Sequence, residues 1–118
     1  MSNAEYPVNV HDHYHAHVYF DDSSHEFARS LCEEAGDTYG LEVGRFHERP
    51  VGPHTVWSCQ IKFDAEHFET FIPWLDKKRK DLTIFVHGLT GDDFKDHTDY
   101  AYWLGDPVPL NLDIFKSG

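Results

Sequence analysis

The stretch His11-Asp12-His13-Tyr14-His15-Ala16-His17-Val18-Tyr19-Phe20 decides how the rest of the chain is read. Histidine recurs at every second position from His11 to His17, and Tyr14, Ala16, Val18 and Phe20 take alternate places. Successive side chains of a β-strand point to opposite faces, so this alternation predicts a strand with imidazoles on one face and apolar groups on the other. The apolar face can pack a core. A face covered in imidazole is a poor way to build a core and a good way to hold a metal. The whole sequence carries 10 histidines in 118 residues, most of them in short clusters.

Downstream of that strand, read as roughly Tyr14 to Phe20, the spacing becomes helical. Ser23 and Glu26 have capping-box spacing, and Phe27, Leu31 and Ala35 recur at four-residue intervals, which predicts an amphipathic helix ending near Gly36. A second strand, about Glu42 to Glu48, stops at the Pro50–Gly52–Pro53 turn. From Thr55 to Phe63 the chain alternates again, with Trp57, Cys59, Ile61 and Phe63 inward and Val56, Ser58, Gln60 and Lys62 outward. Asp64 is placed to cap a second helix striped by Phe68, Phe71, Ile72 and Leu75. Pro73 falls inside that stripe and predicts a kink or a split. A fourth strand spans Leu82 to His87, with Leu82, Ile84 and Val86 on one face and Thr83, Phe85 and His87 on the other. The tail from Gly88 holds Asp96-His97 and the aromatic residues Tyr100, Tyr102 and Trp103, and receives no element.

The order β-α-β-β-α-β is that of an α+β, ferredoxin-like plait, with spatial strand order 4-1-3-2 and both helices on one sheet face. In that topology the start of the first strand lies opposite the end of the fourth, which brings His13 and His15 near His87. The helix-free face would carry the histidines with Ser58 and Gln60. An uncovered face in so small a domain is expected to meet a second copy, giving a homodimer. Residues 1–13 read as an N-terminal extension and 14–118 as one domain. The opening Met1-Ser2-Asn3-Ala4 has the form of a cloning remnant and is assigned no function.

Composition narrows the partners. An apolar fraction of 40% with 15% aromatic residues allows a packed core. A formal net charge of −11 argues against nucleic acid and against an anionic membrane surface. No apolar run approaches the roughly 20 residues of a membrane span, and no signal-peptide pattern opens the sequence, so a cytoplasmic location is expected. Cys32 and Cys59 fall in a helix and a strand and are read as buried free thiols.

Several dispersed segments resemble one family. His-Ala-His-Val-Tyr-Phe at 15–20, Gly-Arg-Phe-His-Glu-Arg-Pro-Val-Gly-Pro-His at 44–54 and His-Gly-Leu-Thr-Gly-Asp-Asp at 87–93 look like the signatures of the DOPA 4,5-dioxygenase family. Asp96-His97-Thr98 and Trp103-Leu104-Gly105 are similar to its C-terminal pattern, so the resemblance runs from about Tyr14 to Gly105. It departs at Gly88, where the family usually has proline, which implies a looser turn beside His87.

The resemblance implies extradiol ring cleavage: non-haem Fe(II), a catechol such as L-DOPA or caffeate, and O2. Two histidines and one carboxylate are a common way to leave coordination positions open. On that reading His15, His17 and His87 form the metal-side group, with Glu48 as a possible carboxylate ligand. His54 and His97 are the acid/base candidates. His47 and Glu48 are neighbours, so only one of them can share the site face of a regular strand. Arg45 and Arg49 are available for a substrate carboxylate or for ordinary surface pairing. His11 and His13 are given a smaller part, His25 and His67 are read as solvated, and Trp57, Trp74 and Trp103 as core. Two alternatives stay open: a histidine-rich metal-binding module without catalysis, and a non-catalytic dimeric ligand-binding plait. The coherence of dispersed motifs favours the enzyme, since a metal sponge would need only the first-strand cluster.

Overall fold

A computed structural model describes residues 5–115; Met1 to Ala4, with the cloning-remnant reading, lie outside the described residues. Strand β1 (His13–Phe20) forms where the alternation begins, and helix α1 (His25–Tyr39) follows it. Strands β2 (Glu42–His47) and β3 (Trp57–Asp64), helix α2 (Ala65–Lys78) and strand β4 (Ile84–Gly88) complete the expected order. A short helix α3 (Asp93–Asp96) and a strand β5 (Ala101–Leu104) lie in the tail, where no element was expected. The antiparallel sheet runs β2-β3-β1-β4-β5. Its first four members have the expected 4-1-3-2 order read from the other edge, and β5 extends it beyond β4. The signal for β5 was present in Tyr102 and Leu104, two apolar residues at strand spacing. They pair with Val86 and Ile84 and share their core face.

One face of the sheet is the core. Tyr14, Ala16 and Val18 of β1, Cys59, Ile61 and Phe63 of β3, and Ile84 and Val86 of β4 pack against α1 (Ala28, Leu31, Cys32, Ala35) and α2 (Phe68, Phe71, Ile72, Leu75). Both cysteines are free and buried, as their positions suggested.

Three local expectations give way. The start of α1 is not a Ser23–Glu26 box: Asp21 Oδ1 accepts from the Ser23 and Ser24 amides at 3.0 and 3.1 Å, and Asp21 N donates to Ser24 Oγ at 2.9 Å. Nor does α1 end near Gly36; it runs to Tyr39 and stops at Gly40, whose φ of 66° is left-handed. Gly36 serves close approach instead, since a Cβ there would lie 3.0 Å from Val43 Cγ2. Finally, α2 runs through Pro73 as one helix, so Pro73 does not split it. Burying Phe71, Ile72 and Leu75 is worth about 1.5–3 kcal/mol each, and together they outweigh the roughly 3 kcal/mol cost of an interior proline. Pro73 is also exposed, so water can reach the carbonyl it leaves without a partner.

Gly88 does not loosen a turn. It is a buried strand residue opposite Tyr14, and its amide donates to Tyr100 O at 3.2 Å. The N-terminal arm lies against the domain. Tyr14 Oη accepts from the amides of Val10 and His11, both at 2.8 Å, and Trp103 N donates to Glu5 O at 2.8 Å.

The second sheet face is not bare either. His54 bridges to Leu110, Asn111 N donates to Pro53 O at 2.8 Å, and Thr55 Oγ1 donates to Pro109 O at 2.7 Å. The 48–56 loop and the C-terminal segment are thereby tied together over the β1–β4 half of that face. No helix among the described residues is long and apolar enough to cross a membrane.

Candidate metal centre

Register places the histidines. His15 pairs with Lys62 on one side and His87 on the other, and His17 pairs with Gln60 and Phe85. Paired residues of adjacent strands share a face, so His15, His17 and His87 converge. One ligand nitrogen from each lies within 4.8 Å of the other two. The tail and the long loop bring two more: His97, at the end of α3, sets its ring 4.4 Å from that of His87, and the His54 ring lies 4.1 Å from that of His17. Five histidines from four segments therefore meet on one face.

The remaining expected residues go elsewhere. Glu48 is carried to α1, where Oε2 lies 2.6 Å from His25 Nε2, close but out of line for a hydrogen bond. A bulge is the cause: Val43 opposes Ile61 and Phe46 opposes Cys59, three steps against two. The extra residue turns Phe46 to the core side, stacked 4.2 Å from Phe20, and leaves His47 opposite Ser58 on the histidine side. His25 is thus held among Glu48, Glu26 and the Phe46 ring rather than simply solvated. His13 is exposed opposite Asp64, and Arg45 and Arg49 are exposed. His67 binds Asp64, and Asp64 also accepts the His67 amide that caps α2, at 3.1 Å. Trp57 and Trp74 pack on the core, but Trp103 lies on the histidine side, 4.8 Å from Phe85.

Burial holds four of these imidazoles, His15, His17, His54 and His87, below the ordinary imidazole value. Burial pushes His87 down to about 3 and His54 to about 4; His15 falls to about 4 through burial and then the neighbouring Lys62 charge. His17 lies well below the ordinary imidazole value, chiefly from burial. Neutral imidazoles offer lone pairs. His87 Nδ1 lies 2.9 Å from Gly88 O and must donate to it, which leaves Nε2 bare. That Nε2 faces His17 Nε2 at 3.0 Å. Two nitrogens bound at right angles to one ion with bonds of about 2.1 Å would stand about 3.0 Å apart. The donor set thus fits a first-row divalent ion that accepts imidazole, iron among them. The grouping is all histidine, with no carboxylate in it among the described residues.

Sequence reasoning passed over several residues that build this centre. Tyr19 follows His17 at strand spacing, and its hydroxyl lies 2.7 Å from His54 Nδ1. Phe85, fully buried, packs against His17, His87 and His97. Buried Asp96 accepts from Thr90 N and Oγ1 at 3.0 and 2.6 Å, fixing the short helix that presents His97. Parity along β1 and β4 already placed Tyr19 and Phe85 on the histidine face; Asp96 stood out only as a neighbour of His97 in the Asp96-His97-Thr98 motif, with nothing local to show its bond to Thr90. A cleft of about 420 Å³ lined by Tyr19, Ser24, Val56 and Thr83 opens at the far end of β1, but no histidine lines it.

Residues 14–114 match the family described as Dopa 4,5-dioxygenase. An uncharacterized 21.2 kDa protein of Botryotinia fuckeliana is 37% identical over 112 residues, covering 85% of this chain and 61% of that protein. A DOPA 4,5-dioxygenase of Amanita muscaria is 32% identical over 108 residues, covering 84% of this chain and 47% of its own length. The chain therefore spans about half to three-fifths of these relatives. A crystal structure of a "putative dioxygenase" from Nostoc punctiforme superposes with a TM-score of 0.75 at 36% identity, covering 86% of this chain and 89% of that one.

Proposed function

The chain belongs to the Dopa 4,5-dioxygenase family, and from that premise we propose that it is a non-haem iron dioxygenase that opens a catechol ring beside its two hydroxyls with O2. The observation that carries this reading is the convergence of His15, His17 and His87 within 4.8 Å on a face that also holds His54 and His97. His15, His17 and His87 would hold Fe(II). When bound, the ion brings catechol and O2 together and mediates electron transfer between them.

The protein's own groups do the rest. His97 donates Nδ1–H to Asp93 O at 2.8 Å, so its Nε2 is free to take a proton from a catechol hydroxyl. His54 is the second acid/base candidate, held by Tyr19. Phe85 and Trp103 give the centre an apolar floor that excludes water. Glu48 has no part in it, being held at α1.

The same reading takes the first four strands and two helices as a ferredoxin-like plait in a cytoplasmic protein. A second copy would use the uncovered strip of the histidine face at His13, Glu42 and Lys62, whose acid and base suit a two-fold contact; light scattering tests that. The reading as a whole is tested by oxygen uptake of anaerobically Fe(II)-loaded protein given L-DOPA, caffeate and 4-methylcatechol. Uptake with a new visible absorbance supports it. Bound iron with no uptake on any catechol overturns it.

A further inference from the structure

The hydrogen bonds at the outer edges of these imidazoles differ in kind. His87 Nδ1 lies 2.9 Å from Gly88 O and His97 Nδ1 2.8 Å from Asp93 O. A carbonyl oxygen only accepts, so both rings carry a proton on Nδ1, which leaves Nε2 as the nitrogen available to the centre. At His54 the partner is a hydroxyl: Tyr19 Oη lies 2.7 Å from Nδ1. Tyr19 is only 4% exposed, and its O–H has no other acceptor among the described residues. A buried O–H left without an acceptor costs about 1–3 kcal/mol, so the phenol donates and His54 Nδ1 accepts. A ring whose Nδ1 accepts is neutral and must carry its own proton on Nε2.

We infer that Tyr19 is a positioning residue that fixes His54 as the Nε2–H tautomer, so that His54 serves the centre as a hydrogen-bond donor and His97 alone as proton acceptor. The tautomer stands on the hydrogen bond; the division of labour rests on the ring-cleavage reading above. A buried, fixed donor stabilises negative charge developing on a reacting oxygen, and a ring already protonated at Nε2 cannot take a proton there. Strand β1 supplies both parts, with His15 and His17 as ligands and Tyr19 as the orienting group two residues on. The loop fixes the ring from the other side through the His54 N to Val51 O bond at 3.1 Å and the bridge to Leu110.

Two-bond 1H–15N correlation spectra of metal-free, histidine-labelled protein test the tautomer, with His54→Gln used to assign the signals. The expected result is Nε2–H at His54 and Nδ1–H at His87 and His97. Tyr19→Phe should move His54 toward the other tautomer. His54 protonated on Nδ1 in the parent, or unchanged in Tyr19→Phe, overturns the inference; if the variant fails to fold, the parent spectrum decides. In the iron-loaded enzyme Tyr19→Phe should lower kcat roughly tenfold, as loss of an orienting partner does, with KM and iron content little changed. Equal kcat in parent and variant overturns the division of labour. No turnover by the parent overturns the ring-cleavage reading while leaving the tautomer result in place.

Discussion

Replacing Gly88 by alanine offers a test whose outcome is set by one contact. A Cβ on Gly88 would lie 2.6 Å from His11 Cδ2, 2.8 Å from Cγ and 2.9 Å from Nε2, all inside contact distance. The imidazole has little room to retreat. Its centroid is 4.7 Å from the Tyr100 ring and 5.4 Å from the Tyr14 ring, and its Nε2 lies 3.0 Å from Tyr102 Oη. Overpacking of this sort costs about 1–3 kcal/mol, and losing the Tyr102 hydrogen bond about 1 kcal/mol. We therefore expect Gly88→Ala to lose about 2 kcal/mol in urea unfolding of the metal-free protein. The same change made in His11→Ala should cost close to nothing, because the obstacle is gone, giving a coupling of about 2 kcal/mol in the double-mutant cycle. Gly88 O also accepts the His87 Nδ1 proton, so the single variant should weaken divalent-metal binding and His11→Ala should restore it. Equal costs in the two backgrounds would refute the packing account of the arm.

Three further outcomes follow from other parts of the structure. His17→Ala and His87→Ala should each lower Co(II) affinity at least tenfold by calorimetry, while Glu48→Gln leaves it unchanged; metal loss in Glu48→Gln would undo the assignment of ligands. Acid should destabilise the metal-free protein. The unfolded chain takes up protons near the ordinary imidazole value of about 6.5, whereas buried His54 does so only at about 4. Its contribution is complete above pH 6.5 and is lost as the pH falls toward 4, amounting to about 3 kcal/mol for this one group. Urea midpoints that stay flat from pH 7.5 to 4.5 would contradict this. Pro73→Ala should raise stability by about 1–3 kcal/mol, since the exposed proline withholds one helix hydrogen bond and packs nothing the core needs; a lower midpoint would show that the proline holds α2 in a shape the core requires.

What the sequence determined by itself is the partition of β1 and its neighbours into two faces, because strand periodicity is a local property of the backbone. It brought His15, His17 and His87 to one side and sorted the apolar residues of β3, α2 and β4 correctly. The same local logic failed where one residue changes parity or where a signal is non-local. The bulge between Val43 and Phe46 handed Glu48 to His25 and left His47 on the histidine side, and no composition rule marks that extra residue. The tail's α3 and β5 form only because β4 offers an edge and Asp96 finds Thr90, and His97 joins the centre through them. The hydroxyl of Tyr19 acquires its role from a loop 35 positions away. Which imidazoles carry lone pairs and which carry protons inward was therefore decided by tertiary structure, since each choice depends on the partner that folding places at the ring's other nitrogen.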